Sequence, residues 1–247
     1  MAYCRFFGAL LAGTIVLLVA VHAQSPGNSP AANTQQSQGK ATPDFQKVER
    51  VLTARREYQH ALKQLRQHYI DTGDIERAKW AEEELIQYHR IQKHAFILDL
   101  DVPPPTLKAS MNIKEANEKF QLAMHYKDKG WNTEYLDNQR RAEVLLQEIL
   151  TQYPESNRIS DVAYQLGDLY EGKLYQQYRR AALYFERAFQ WNPNTQSDAR
   201  LRAAKLYDRL AERTRAMELY REVTNTEIDE KRIGEAKKRM AEISGKK

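Results

Sequence analysis

Between residues 45 and 70 apolar residues fall at Phe45, Val48, Leu52, Tyr58, Ala61, Leu62, Leu65 and Tyr69, among others, spaced mostly by three and four. That spacing gathers them on one stripe of a helix. Asp71-Thr72-Gly73-Asp74 stops the run, and Gly73 suits the left-handed residue that follows a helix end. Asp74 can then cap a second helix carrying Ile75, Ala78, Ala81, Leu85, Tyr88 and Ile91. Arg77 stands where a capping box needs Glu, so that motif is absent. The two helices predict an antiparallel hairpin over residues 44–98. Asp99-Leu100-Asp101-Val102-Pro103-Pro104-Pro105 breaks the pattern. Three successive prolines lack amide donors and hold an extended path, so residues 99–111 read as a Pro-rich, stiff spacer. At this stage it is open whether the first hairpin packs separately or docks back.

The same period returns from residue 112 onward. Ala116, Phe120, Ala123 and Tyr126 predict a helix ending at Lys129-Gly130, paired with one carrying Ala142, Leu145, Leu146, Ile149 and Leu150 up to Tyr153-Pro154. A third pair covers 160–170 and 178–191 and closes at Asn192-Pro193-Asn194; a fourth covers 197–210 and 215–223. Residues 229–243 form a last helix, apolar at Ile233, Ala236, Met240 and Ile243 and basic on its other side. That is the polar outer face a terminal unit needs. No strictly alternating strand pattern occurs, so the fold class is all-α. Ala181, Phe185 and Ala188 recur 35 residues later as Ala216, Tyr220 and Val223, preceded in each case by a tyrosine, Tyr170 and Tyr207. A period of this length marks stacked helical hairpins, which bury their apolar faces only against neighbours.

The N-terminus adds a targeting expectation. Arg5 is the only charged residue before Lys40, an uncharged run fills 6–21, and Val21-His22-Ala23 offers a cleavage pattern. Residues 1–23 therefore read as a signal peptide and the mature start as Gln24, so the protein is expected in the periplasm or cell envelope. The alternative is an uncleaved anchor in the inner membrane, although 16 residues are short for a span of about 20. Residues 24–43 hold no aromatic side chain and no aliphatic one larger than Ala, and they predict a disordered polar linker. Cys4, the single cysteine, precedes the run, so a mature chain starting at Gln24 has neither disulfides nor thiolate chemistry.

Charge changes the picture little. The 38 basic and 33 acidic residues leave a net charge of +5 but no aromatic-studded basic stripe, so no nucleic acid is expected as a partner. His89 and His94 are five apart and do not share a helix face as a metal pair would. Asp74, Glu76 and Glu82-Glu83-Glu84 lie among Arg77 and Lys79 and read as a solvated face. Phosphate loops and nucleophile motifs are absent. The expectation is a non-enzyme with no cofactor and no metal site. A rival reading hides a catalytic site around His60, His68 and Trp80.

Leu166-Gly167-x-x-Tyr170 followed by Ala181-x-x-x-Phe185-x-x-Ala188-x-x-x-x-Pro193 resembles the tetratricopeptide repeat. The gap from Gly167 to Ala181 is two residues longer than the family's usual one. The next unit has Ala204 at the glycine position, and the first hairpin keeps only Tyr69, Gly73-Asp74 and Ala78. Residues 149–156 with 163–167 look like the variant seen in bacterial envelope proteins, such as an outer-membrane assembly lipoprotein and the periplasmic Tol–Pal partner protein. The resemblance implies a right-handed superhelical array of antiparallel hairpins over 112–247, an α-solenoid with a C-terminal capping helix. It also implies a groove lined by the first helix of each pair. Carried over by position, the lining is Asn117, Phe120, Met124 and Lys127, then Asp161, Tyr164, Asp168 and Glu171, then Asp198, Leu201, Lys205 and Asp208. Its acidic character implies a protein or peptide partner that is basic or amide-rich. The function expected is an exported scaffold, with envelope assembly as the setting the resemblance implies; a membrane-tethered spacer is the alternative.

Overall fold

The computed structural model describes residues 43–195 and 197–245, all within a compact unit spanning residues 39–247. The signal, mature-start and linker expectations fall outside the described residues. Ten α-helices are described: α1 (Phe45–Asp71), α2 (Ile75–Arg90), α3 (Leu98–Asp101), α4 (Lys114–Tyr126), α5 (Asn132–Gln152), α6 (Ile159–Glu171), α7 (Tyr178–Trp191), α8 (Ala199–Arg209), α9 (Arg213–Thr226) and α10 (Glu230–Ile243). There is no strand among the described residues, only one parallel bridge between Met111 and Ser156. The fold is all-α, and each helix from α4 to α10 packs on the next.

The local signals act as expected. Gly73 has φ +76 in the α1–α2 turn, and the Asp74 carboxylate accepts the Arg77 N–H at 3.0 Å. Arg77 also returns its own guanidinium to Asp74 at 2.5 Å, so the position that denies a capping box supplies an ion pair instead. Val48, Leu62, Ala78, Ala81 and Leu85 are the buried apolar residues of this hairpin, a thin seam for 43 helical residues. The Tyr58 and Tyr88 rings meet edge-on at 5.2 Å beside it.

The core is far denser from α5 to α9. Leu146, Ile149, Ile159, Val162, Leu166, Tyr170, Tyr184, Phe185, Leu219, Tyr220 and Val223 are fully buried. Small residues set the helix spacing. A Cβ on Gly167 would stand 2.8 Å from the Phe185 ring, so α6 and α7 approach more closely than any side chain at that position permits. Ser160 Oγ donates to Ala188 O at 2.7 Å across the same interface.

The first hairpin docks back. Arg90 grips Asp137 of α5 bidentately at 2.7 and 2.8 Å, and Lys63 of α1 reaches Glu148 of α5. The Pro-rich segment is a strap rather than a free spacer. Prolines keep their carbonyls as acceptors, and α7 supplies the donors: Arg187 Nε to Pro103 O at 2.8 Å and Trp191 Nε1 to Pro104 O at 2.9 Å. Val102 is buried, the Ala109 N–H donates to Trp191 O at 3.2 Å, and the Met111 N–H donates to Glu155 O at 2.8 Å. Among the described residues no helix is long and apolar enough to cross a membrane.

Candidate functional site

Two surfaces carry organised polar chemistry. The first joins α4, α6 and α8, where most of the sequence-predicted lining residues meet in cross-helix pairs. Arg158 donates to Asn117 Oδ1 at 2.7 Å and lies over the Phe120 ring. Lys127 pairs with Asp168, which also receives Arg202 at 2.7 Å, and Arg202 reaches Glu171 at 2.5 Å. The Tyr164 hydroxyl donates to Asp198 at 2.8 Å. Asp161 is paired with Arg158 at 3.1 Å, Lys205 with Glu235 at 2.6 Å, and Asp208 with Arg239 at 3.0 Å. Phe120 and Met124 are half-buried against the core. Leu201 is 3% exposed and belongs to that core, because α8 turns it inward with Ala204.

Sequence reading missed the counter-charges. Arg158 neutralises Asp161, Arg202 neutralises Asp168 and Glu171, and Arg239 neutralises Asp208, all carboxylates that made the face look acidic. The signal for Arg202 was available, since it follows Asp198 by four and shares its helix face. Burial alone would push the Asp168 carboxyl up, but hydrogen bonds and charge from Lys127 and Arg202 hold it below the usual carboxylate range.

The second surface is an open cavity of about 670 Å³ lined by α1, the end of α2, the strap, α5 and the start of α7. Arg55, Gln59, His60 and Lys63 face it from α1, His89 and Lys93 from the end of α2 and just beyond, and Glu143, Gln147 and Glu148 from α5. Asp101 and Arg180 close one end, while Leu52, Val102, Pro103, Val144 and Leu150 give it apolar walls.

Behind that end lies a buried polar cluster. Glu143 accepts the hydroxyls of Tyr170 and Tyr175, each at 2.8 Å, and Arg140 at 3.2 Å. Gln147 Nε2 donates to Tyr184 at 2.8 Å and Tyr170 at 3.1 Å. The Arg180 guanidinium lies 4.0 Å from the Tyr170 ring centroid and 3.3 Å from Asp101. Burial works against ionised Glu143, yet Arg180, Arg140 and the two tyrosines bring its pKa below the ordinary value. Burial lifts Asp101 despite Arg180 and Arg55 nearby. Burial, with Lys93 and Lys63 adding like charge, takes His89 down to about 4. Burial lowers Lys93 to about 8; Glu143 opposes the shift, and Arg140 and Arg55 reinforce it. His89 Nε2, Asp101 Oδ2 and Arg180 Nε are buried without a hydrogen-bond partner.

The rival catalytic grouping is not assembled. His60 lines the cavity, but His68 and Trp80 are exposed elsewhere. Glu143 and Arg180 were overlooked although each is a charge inside an apolar stripe. Glu143 shares a face with Leu146 and Leu150, and Arg180 shares one with Tyr184 and Trp191. Comparison of the chain with family models, curated proteins and solved structures finds no match.

Proposed function

We propose that this protein is an exported, non-catalytic scaffold, a tetratricopeptide-like solenoid that holds another polypeptide against the joined face of α4, α6 and α8. The observation that carries the reading is the ladder of side chains 31 to 41 residues apart: Asn117–Arg158, Lys127–Asp168–Arg202, Tyr164–Asp198 and Asp208–Arg239. Consecutive helix pairs present these groups in fixed positions, so a partner meets polar atoms whose ordering cost is already met within the fold. A lysine or arginine from the partner has to displace Arg202 or Lys127 before it reaches Asp168. Amide and hydroxyl groups need only share the spare lone pairs and N–H groups. The amide-rich form of the partner is therefore favoured over the basic one.

In cells that make the protein, a photo-crosslinking residue at Asn117 or Lys205 captures a discrete polypeptide, while the same group at Lys237 on α10 does not. Equal labelling from all three positions, or none, rejects the face. The export component is tested separately by the mature N-terminus: Gln24 supports release, whereas Met1 supports a retained anchor and the tethered-spacer alternative.

A further inference from the structure

The cavity under the strap lies apart from the α4–α6–α8 face, and its charges do not balance. Five cationic side chains and four carboxylates line it. Most of the carboxylates already hold cations: Glu148 takes Lys63 and Lys119, Glu143 takes Arg140, and Asp101 takes Arg180. Arg55, Arg56 and Lys93 are in no ion pair among the described residues, against one such carboxylate, Asp99, and Arg56 donates to Thr53 Oγ1 at 3.1 Å. Arg55 lies over the Phe96 ring at 5.5 Å, and Lys93 donates to Tyr88 O at 2.8 Å and sits 4.3 Å from the Tyr88 ring. These are contacts that leave a cation's charge uncompensated. Arg180, with a side chain only 7% exposed, still has an unpartnered Nε, and Asp101 Oδ2 beside it lacks a donor.

We propose that this cavity binds a small organic carboxylate that has an apolar body and an N–H or O–H donor next to the charged group. The carboxylate lies between Arg55 and Lys93, where the positive surplus is. The neighbouring donor satisfies Asp101 Oδ2, which would repel an anion bearing no donor. The apolar body lies along Val102, Pro103 and Val144. The volume is of the size that holds such ligands. The like charge of Arg55 and Arg140 already bears on the buried Lys93 ammonium, so an anion beside it supplies the compensating charge. The shared chemistry is that of an N-acyl amino acid, whether free or as the C-terminus of a short peptide.

The test is a fluorescence titration of the full chain with dansyl-phenylalanine, whose sulfonamide N–H adjoins a carboxylate, and with neutral dansyl-phenylalaninamide. Saturable one-to-one binding of the acid, at least tenfold tighter than that of the amide, is expected. Arg55→Gln and Lys93→Gln each weaken the acid about fivefold or more and leave the amide unchanged, and Val144→Trp blocks both probes. Unlabelled N-acetyl-phenylalanine and a dipeptide ending in phenylalanine compete in separate arms, which distinguishes the free acid from a peptide end. Equal affinity for acid and amide, no saturation below about 1 mM, or full binding by Arg55→Gln overturns the proposal. The Arg55 side chain makes no hydrogen bond or ion pair among the described residues, so Arg55→Gln decides the matter even if circular dichroism shows Lys93→Gln to be unfolded.

Discussion

Replacing Glu143 by Gln keeps the side-chain volume and removes one negative charge from the buried cluster between α5 and α7. The amide oxygen can still accept from Tyr170 or Tyr175, which stand at 2.8 Å, so the packing survives. The charges do not. Arg140 and Arg180, 5% and 7% exposed at their side chains, are left with the single carboxylate of Asp101, which burial already disfavours in its ionised form. Removing one partner of a buried ion pair costs about 3–5 kcal/mol. The retained hydroxyl bonds place Glu143→Gln at the low end, about 3 kcal/mol. For a chain of this size that lowers Tm by about 6–12 °C. Urea denaturation followed by circular dichroism measures it, with exposed Glu83→Gln as a control expected within about 0.5 kcal/mol of the parent. The pH dependence carries an independent sign. The folded pKa of Glu143 lies below its unfolded value, so its contribution is complete above the unfolded value and is lost as pH falls through the folded one. The gap between parent and variant must therefore narrow in acid. A loss under about 1 kcal/mol at pH 7, or a gap that widens in acid, refutes the account of the cluster.

The same substitution has opposite signs at two helical glycines: Gly234→Ala in α10, with open space where the Cβ would go, gains up to about 1 kcal/mol, and Gly167→Ala, 2.8 Å from the Phe185 ring, loses about 1 kcal/mol net in thermal melts. Because the folded pKa of His89 is depressed to about 4, the unfolded chain takes up the proton first as pH drops below about 6.5. Discounting for the ring's partial exposure, stability falls by about 1–2 kcal/mol between pH 6.5 and 4, and His89→Gln removes that part of the fall in denaturation curves. Trp191→Phe deletes the indole bond to Pro104 and costs about 1 kcal/mol. It also shifts the emission of the folded chain to longer wavelength, since Trp80 and Trp131 are exposed.

The helix pairs were legible because alanine and aromatic residues mark buried stripes with the helical period, as at Ala181, Phe185 and Ala188. Turn chemistry at Gly73 and Gly130 fixed the boundaries between them. The strap was not legible. Pro103 and Pro104 announce missing donors, but nothing near them says that their carbonyls meet Arg187 and Trp191 more than eighty positions later. The face of α4, α6 and α8 was half legible. Helical spacing placed Asp161, Tyr164 and Asp168 on one side of α6, yet their neutralisation depends on Arg202 and Lys127 from other helices. The cavity was least visible, because it forms only where five segments of the chain meet, and a lone charge such as Glu143 in an apolar stripe reads as noise without its partners.

The strap also orders events during synthesis. The hairpin of α1 and α2 leaves the ribosome well before α7, and the bonds at Pro103 and Pro104 must wait until Trp191 has emerged, 87 residues after the last of those prolines. At ordinary elongation rates that delay is on the order of ten seconds. The strap is therefore made long before its bonds can form, and a polypeptide cut short before α7 keeps the hairpin's ion pairs to α5 but leaves the strap untied.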